Sequence, residues 1–175
     1  MVRCFIAIEL DDGIKKRIAE LQKQLEEPAL RMTAPDNLHI TLKFLGEVDQ
    51  NLIGEICQKL SDIRMAPFKF KIAGLGVFPS ANYIRVVWLG IRDGGELLKL
   101  SKNVDSQLPG FRTDAFSPHI TIARARYKPE NIGVILQNTV VDMGSQAVNE
   151  FVLKKSELTP AGPVYDDIKR FRLVL

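Results

Sequence analysis

Apolar positions along the chain repeat with two different periods, and the alternation between them outlines the fold. Val2 to Leu10 (VRCFIAIEL) is short, rich in β-branched residues and closed by Asp11-Asp12-Gly13, which predicts a strand. Ile14, Ile18, Leu21 and Leu25 then recur at helical spacing, with Asp11 or Asp12 as cap and Pro28 as stop. His39 to Leu45 (HITLKFL) predicts a second strand ending at Gly46. Asp49 to Arg64 predicts a helix through Leu52, Ile53, Ile56, Leu60 and Ile63. Phe68 to Phe78 reads as a strand with a bend or bulge at Gly74 and Gly76. The second half runs through the same series: strand Ile84 to Ile91, helix Glu96 to Leu108, strand His119 to Ala125, helix Pro129 to about Val140, and strand Glu150 to Leu158. Phe171 to Leu175 is expected to close the chain as one more strand.

Three of these elements share one offset. Adding 80 carries the strand at 5–10 onto 85–90, His39 onto His119, and the strand at 69–78 onto 149–158. An internal repeat follows, with approximate units 1–80 and 81–175. The expected architecture is α+β: a bilobal, pseudo-twofold single domain. Each lobe is an antiparallel sheet with helices on its outer face, and the lobes meet along a cleft. No Pro/Ser/Gly-rich linker separates the halves.

Composition narrows the class. With 175 residues, 46% hydrophobic and 26% charged, the chain is an ordinary globular domain rather than a disordered or fibrous one. Its net charge of +3 is too small for histone-like binding by bulk charge. The surplus is local: residues 1–80 hold 11 basic and 11 acidic side chains, and residues 81–175 hold 13 and 10. Arg124, Arg126 and Lys128 form a small positive patch after the second histidine. No apolar run approaches membrane-span length and no secretory h-region is seen, so a cytoplasmic protein without membrane attachment is expected. Cys4 and Cys57 show neither CxxC nor disulfide spacing and read as buried inert thiols.

The chain has only two histidines, and both open the same pattern: His39-Ile40-Thr41-Leu42 and His119-Ile120-Thr121-Ile122. With six threonines in the chain, that coincidence has a probability of about one in a thousand. In a strand, His and Thr at i and i+2 share one face and the intervening aliphatics share the other. Related by a pseudo-twofold axis, the two polar faces can line one groove. A lone strand histidine usually packs or faces solvent, but duplication at matched positions favours catalysis. Two imidazoles suit displacement at phosphorus, one taking a proton from water and the other protonating the leaving oxygen. Threonine hydroxyls can donate to the non-bridging oxygens. Two histidines without HxxxH, HxD or a Cys pair make a poor zinc site, and no G-x-x-x-x-G-K-[ST] loop supports ATP use. Neither metal nor cofactor is expected.

The sequence resembles the 2H phosphoesterases, and within them the bacterial and archaeal RNA 2′,3′-cyclic phosphodiesterases, also called 2′-5′ RNA ligases. The resemblance runs along the chain through Phe5-Ile6-Ala7-Ile8, Asn37 to Gly46, Val87-Trp88-Leu89-Gly90, Pro118 to Arg124 and Gly162-Pro163-Val164-Tyr165. It implies a bilobal fold with both motifs in the central cleft and RNA ends bearing a 2′,3′-cyclic phosphate as substrate. Hydrolysis to a 2′-phosphate would use His39 as proton donor and His119 as proton acceptor, supported by Thr41 and Thr121. It also implies that Phe44 stacks a base and Arg124 holds phosphate. Strict alternation places both on the face opposite the histidines, so either the strands end or bulge first, or these residues do something else. Phe44 can equally be a core aromatic; an arginine on a core face would be costly, which favours phosphate contact for Arg124. Lys43 falls on the histidine face by the same alternation, where an exposed strand lysine is the commoner role. A reversible 2′-5′ RNA ligase would use the same residues, and a non-catalytic RNA- or nucleotide-binding module is the rival of another class. The intact pair of motifs argues against the latter. The protein is expected to be a monomer.

Overall fold

The computed structural model describes residues 1–25 and 27–175. Nine strands and four helices follow in order: β1 (Val2–Glu9), α1 (Asp12–Gln24), β2 (Leu30–Met32), β3 (His39–Val48), α2 (Ile53–Ser61), β4 (Phe68–Ser80), β5 (Tyr83–Arg92), α3 (Glu96–Gln107), β6 (His119–Ala125), α4 (Ile132–Asn138), β7 (Asp142–Val148), β8 (Glu150–Thr159) and β9 (Gly162–Arg172). The strands form one antiparallel sheet in the order β7-β4-β5-β6-β3-β1-β8-β9, with β2 paired to β6. This is the expected α+β class with the two histidine strands adjacent at the centre. They touch through a single ladder pair, Ile40 opposite Ile120.

The third strand of each repeat has changed sides. In the first repeat β1 pairs with β3, but β4 pairs with β5 and β7 of the second half. In the second repeat β5 pairs with β6, while β8 returns to pair with β1. The two spatial halves of the sheet, β7-β4-β5-β6 and β3-β1-β8-β9, are therefore not the two sequence repeats.

One face of the sheet carries the core. Ile6, Ile8, Ile40, Leu42, Leu89, Ile120 and Ile122 are buried there under Ile14, Ile18 and Leu21 of α1, Ile56 and Leu60 of α2, and Leu97, Leu100 and Val104 of α3. Each such side chain contributes roughly 1.5–3 kcal/mol by leaving water. The other face holds a small buried apolar cluster of Phe5, Ala7 and Val152 with Tyr165 against it, and Phe78 and Trp88 beside His119. Burial pushes the Cys4 thiol up to about 11 and raises that of the half-buried Cys57, so neither is a ready nucleophile.

Several element boundaries differ from expectation. The helix expected over 49–64 is a 3-10 turn at 50–52, capped by the Asp49 carboxylate on the Asn51 N–H, followed by the shorter α2. The α4 helix starts after Pro129 rather than with it and is only 7 residues long. β9 runs Gly162–Arg172, so it starts nine residues before the strand predicted at 171–175 and covers only the first two residues of that run. Its sequence is dense in charge because it is an edge strand, which hides the strand period. β7 is the other edge; with Gly144, Ser145 and Gln146 it carries little strand propensity and was not predicted. No described helix is long and apolar enough to cross a membrane.

Candidate active site

Both histidines stand at the first position of their strands, on the open face of the sheet. Each is fixed in the same way: His39 Nδ1 lies 2.7 Å from the Asn37 carbonyl, and His119 Nδ1 lies 2.7 Å from the Ser117 carbonyl. A carbonyl can only accept, so Nδ1 carries the proton in both rings and the neutral form offers its Nε2 lone pair. At His39 that nitrogen is 2.9 Å from Thr41 Oγ1, where the hydroxyl donates. Aromatic rings hold each imidazole: Phe5 at 5.0 Å and Tyr165 edge-on at 5.5 Å for His39, and Phe78 edge-on at 5.1 Å for His119. Phe78 in turn lies 5.0 Å from Trp88, whose indole covers Gly76 so closely that no Cβ would fit there.

The open question about Phe44 and Arg124 is resolved by a pair of bulges. Thr41 lies opposite Ala7 and Lys43 opposite Ile6, so Leu42 has no partner on β1. In β6, Thr121 lies opposite Trp88 and Ala123 opposite Val87, so Ile122 has none on β5. The extra residue is the last of the His-x-Thr-x motif both times, and it shifts the alternation by one. Phe44 then faces the cleft, paired opposite Phe5 with ring centroids 6.2 Å apart and 61% of its surface exposed. It is not a core aromatic. Arg124 is likewise exposed, beyond Thr121 on the same face.

The same shift corrects the placement of Lys43. It is turned away from the histidine face and buried, with its ammonium paired to Asp105 of α3 and donating to the Arg112 carbonyl at 2.8 Å.

Each bulge frees a carbonyl from its ladder, and a helix of the other repeat takes it. Gln22 of α1 donates from Nε2 to the Ile122 carbonyl at 2.8 Å and to the Thr33 carbonyl at 2.9 Å, while the Thr33 N–H also reaches the Ile122 carbonyl at 2.9 Å. Ser101 of α3 donates to the Leu42 carbonyl at 3.3 Å. Gln22, Ser101 and Phe78 were missed by sequence reasoning, which offered a bulge before Phe44 and Arg124 only as one alternative. The one usable signal was the consecutive apolar pair Ile122-Ala123 before Arg124.

A groove of about 210 Å³ runs beside Thr41 and His119 and is lined also by Phe44, Lys43, Asp105, Arg112 and Phe116. Desolvation pulls the His39 imidazole down to about 4, and the Asn37 carbonyl and the Glu9 charge oppose that only in part. Glu9 sits directly opposite His39 and is ion-paired with the buried Lys154, which also holds Asp167. Among the described residues no three His, Cys, Asp or Glu side chains gather as a metal-holding cluster.

Residues 8–88 match the family model of LigT-like phosphoesterases. The chain is 38% identical to the RNA 2′,3′-cyclic phosphodiesterase of Archaeoglobus fulgidus over 97% of its length and 99% of the relative's. It is also 38% identical to the enzyme of that name from Methanothermobacter thermautotrophicus, over 98% and 99%. Among solved structures it superposes on E. coli LigT complexed with 3′-AMP with a TM-score of 0.82 at 31% identity, covering 99% of both chains. TT0787 of Thermus thermophilus gives 0.86 at 27% identity over 98% and 97%. With the paired motifs on one face of a shared sheet and full-length relatives above 30% identity, the chain belongs to the LigT-like, two-histidine phosphoesterase family.

Proposed function

We propose that this protein is an RNA 2′,3′-cyclic phosphodiesterase that opens a terminal cyclic phosphate to a 2′-phosphate. The observation that carries the reading is the matched fixation of the two imidazoles. Nδ1 of each is spent on the carbonyl two residues before it, and Nε2 is left for chemistry, at His39 within reach of the Thr41 hydroxyl.

Water attacks phosphorus and gives its proton to His119 Nε2. The P–O3′ bond breaks, and His39 Nε2–H delivers a proton to the departing 3′ oxygen, leaving the phosphate on O2′. Thr41 and Thr121 hydroxyls donate to the non-bridging oxygens, Arg124 offsets their charge, and Phe44 offers an exposed ring for the base. The protein acts as a monomer, in the cytoplasm, on RNA ends. The side chains present supply both proton transfers, so activity is expected to persist in EDTA.

A nucleoside 2′,3′-cyclic phosphate incubated in EDTA tests this, with the product scored as 2′-phosphate, 3′-phosphate or unchanged. The 2′-phosphate is expected; a requirement for added Mg²⁺ or Zn²⁺ would overturn the mechanism. His39→Ala and His119→Ala should each lose several orders of magnitude. With an activated aryl phosphodiester, whose leaving group needs no proton, His39→Ala should recover far more than His119→Ala. Equal recovery would reject the division of roles.

A further inference from the structure

We propose that a strip of arginines on β2, β6 and β5, running out of the cleft from Arg124, binds the sugar-phosphate backbone of single-stranded RNA and holds nucleotides 5′ of the reacting one. This rests on the phosphodiesterase reading, since a chain ending in a cyclic phosphate has all its other phosphates on the 5′ side.

Arg31 of β2 lies directly opposite Arg124 of β6, and Val86 of β5 lies opposite Arg124 on the other flank. Arg85 next to it is the residue skipped where Phe78 pairs with Val86 and Pro79 with Ile84, a bulge that breaks the alternation, and it lies on the side of Tyr83, away from the buried Ile84. Residues paired across a ladder share a face, so Arg31 and Arg124 project side by side from strands about 4.8 Å apart. Arg126 follows two residues beyond Arg124 and is exposed like the other three. Like charges directly opposite one another destabilise a sheet, and among the described residues no carboxylate neutralises them. Arg170, Arg112, Lys43, Lys154 and Lys71 all have carboxylate partners. Among the described residues, Arg31, Arg85, Arg124 and Arg126 have none within 4.0 Å. Arg31 instead donates to the Ala161 carbonyl, and Arg85 to the Tyr83 hydroxyl at 2.6 Å, both neutral.

Aromatic rings interleave with this charge. Tyr83 is 56% exposed with the Arg85 guanidinium 5.0 Å from its ring centroid, and Tyr127, beside Arg126, is 60% exposed. Basic groups for phosphates and open rings for bases are the combination single strands require. The strip also begins at the second motif, since Arg124 lies three residues past Thr121 on the cleft face.

The test compares two substrates of the full chain: a nucleoside 2′,3′-cyclic phosphate and a short oligoribonucleotide with the same end. Arg85→Gln with Arg126→Gln should raise KM for the oligonucleotide tenfold or more at low salt and reduce the slope of log affinity against log salt by about 1.4, about 0.7 per lost phosphate contact. kcat/KM for the nucleoside substrate should stay within about twofold. An equal loss on both substrates, or no loss on the oligonucleotide, would overturn the proposal. Fluorescence anisotropy with a labelled oligonucleotide ending in a 2′-phosphate reads the strip without turnover. If the unaltered protein hydrolyses neither substrate, the phosphodiesterase reading fails, and anisotropy still decides whether the arginines bind RNA.

Discussion

The His39 ring packs against Phe5 and Tyr165, which also touch each other, and that enclosure sets a problem for the acid role proposed for it. Pushed down to about 4 by desolvation, the imidazole is neutral at pH 7, yet protonation of a 3′ oxygen requires the cation. The substrate supplies the remedy, because a phosphodiester anion beside the ring offsets the desolvation and raises its proton affinity. An NMR titration of the free protein should place the His39 midpoint near 4, and saturating 2′-nucleotide should move it up; an unmoved midpoint would make His39 a poor acid. The same shift affects stability. The unfolded value near 6.5 exceeds the folded one, so the unfolded chain binds more protons in between, and stability falls as pH drops from about 6.5 to about 4. The loss has an upper bound of about 3 kcal/mol, lowered by the ring's partial exposure. Relative to His39→Gln, the unaltered protein should lose denaturant midpoint as pH falls across that window. Parallel curves would mean the histidine is not desolvated.

At the scale of elements, the site depends on two bulges, and each bulge depends on a helix from the other repeat. Gln22 is the clearer case, since its amide closes on both the Ile122 and Thr33 carbonyls in a buried position. Gln22→Leu keeps the volume and removes both bonds, which should cost about 1–3 kcal/mol in chemical denaturation. It should also raise KM more than it lowers kcat, because Arg124 lies two residues past the bulge while His119 is anchored separately by Ser117. A loss in kcat alone would place the effect on the histidine instead. The strands β1, β3 to β6 and β8 and the long helices were legible because each shows a period near two or 3.6, whereas β2, β7 and most of β9 were not; the motif pair was legible because its duplication is improbable. The bulges were legible only as one alternative, since one extra residue leaves composition unchanged and Lys43 disguises the first as ordinary alternation. The arginine strip was half visible: Arg124 and Arg126 stand together in sequence, but Arg31 joins them through a three-residue strand too short to show a period.

For the whole molecule, the offset of 80 speaks to the order of elements along the chain and not to the crossing of β4 and β8, because sequence spacing says nothing of which strand pairs with which. That crossing has a consequence for cooperativity. If the two repeats were separate units, the central contact would be only the Ile40–Ile120 pair and the halves could melt apart. Instead β4 leaves the first repeat to pair with β5, β8 leaves the second to pair with β1, and α1 and α3 seal bulges across the midline. Neither repeat can complete its sheet alone. Unfolding should therefore be a single transition. Trp88, the one tryptophan, lies on β5 and reports the β7-β4-β5-β6 half by fluorescence, while far-ultraviolet circular dichroism reports the whole. The two denaturation curves are expected to superpose, and residues 1–80 or 81–175 expressed alone should lack cooperative unfolding. A fluorescence transition displaced from the dichroism curve would show that the halves fold independently, and that the crossed strands tie them together without coupling their stability.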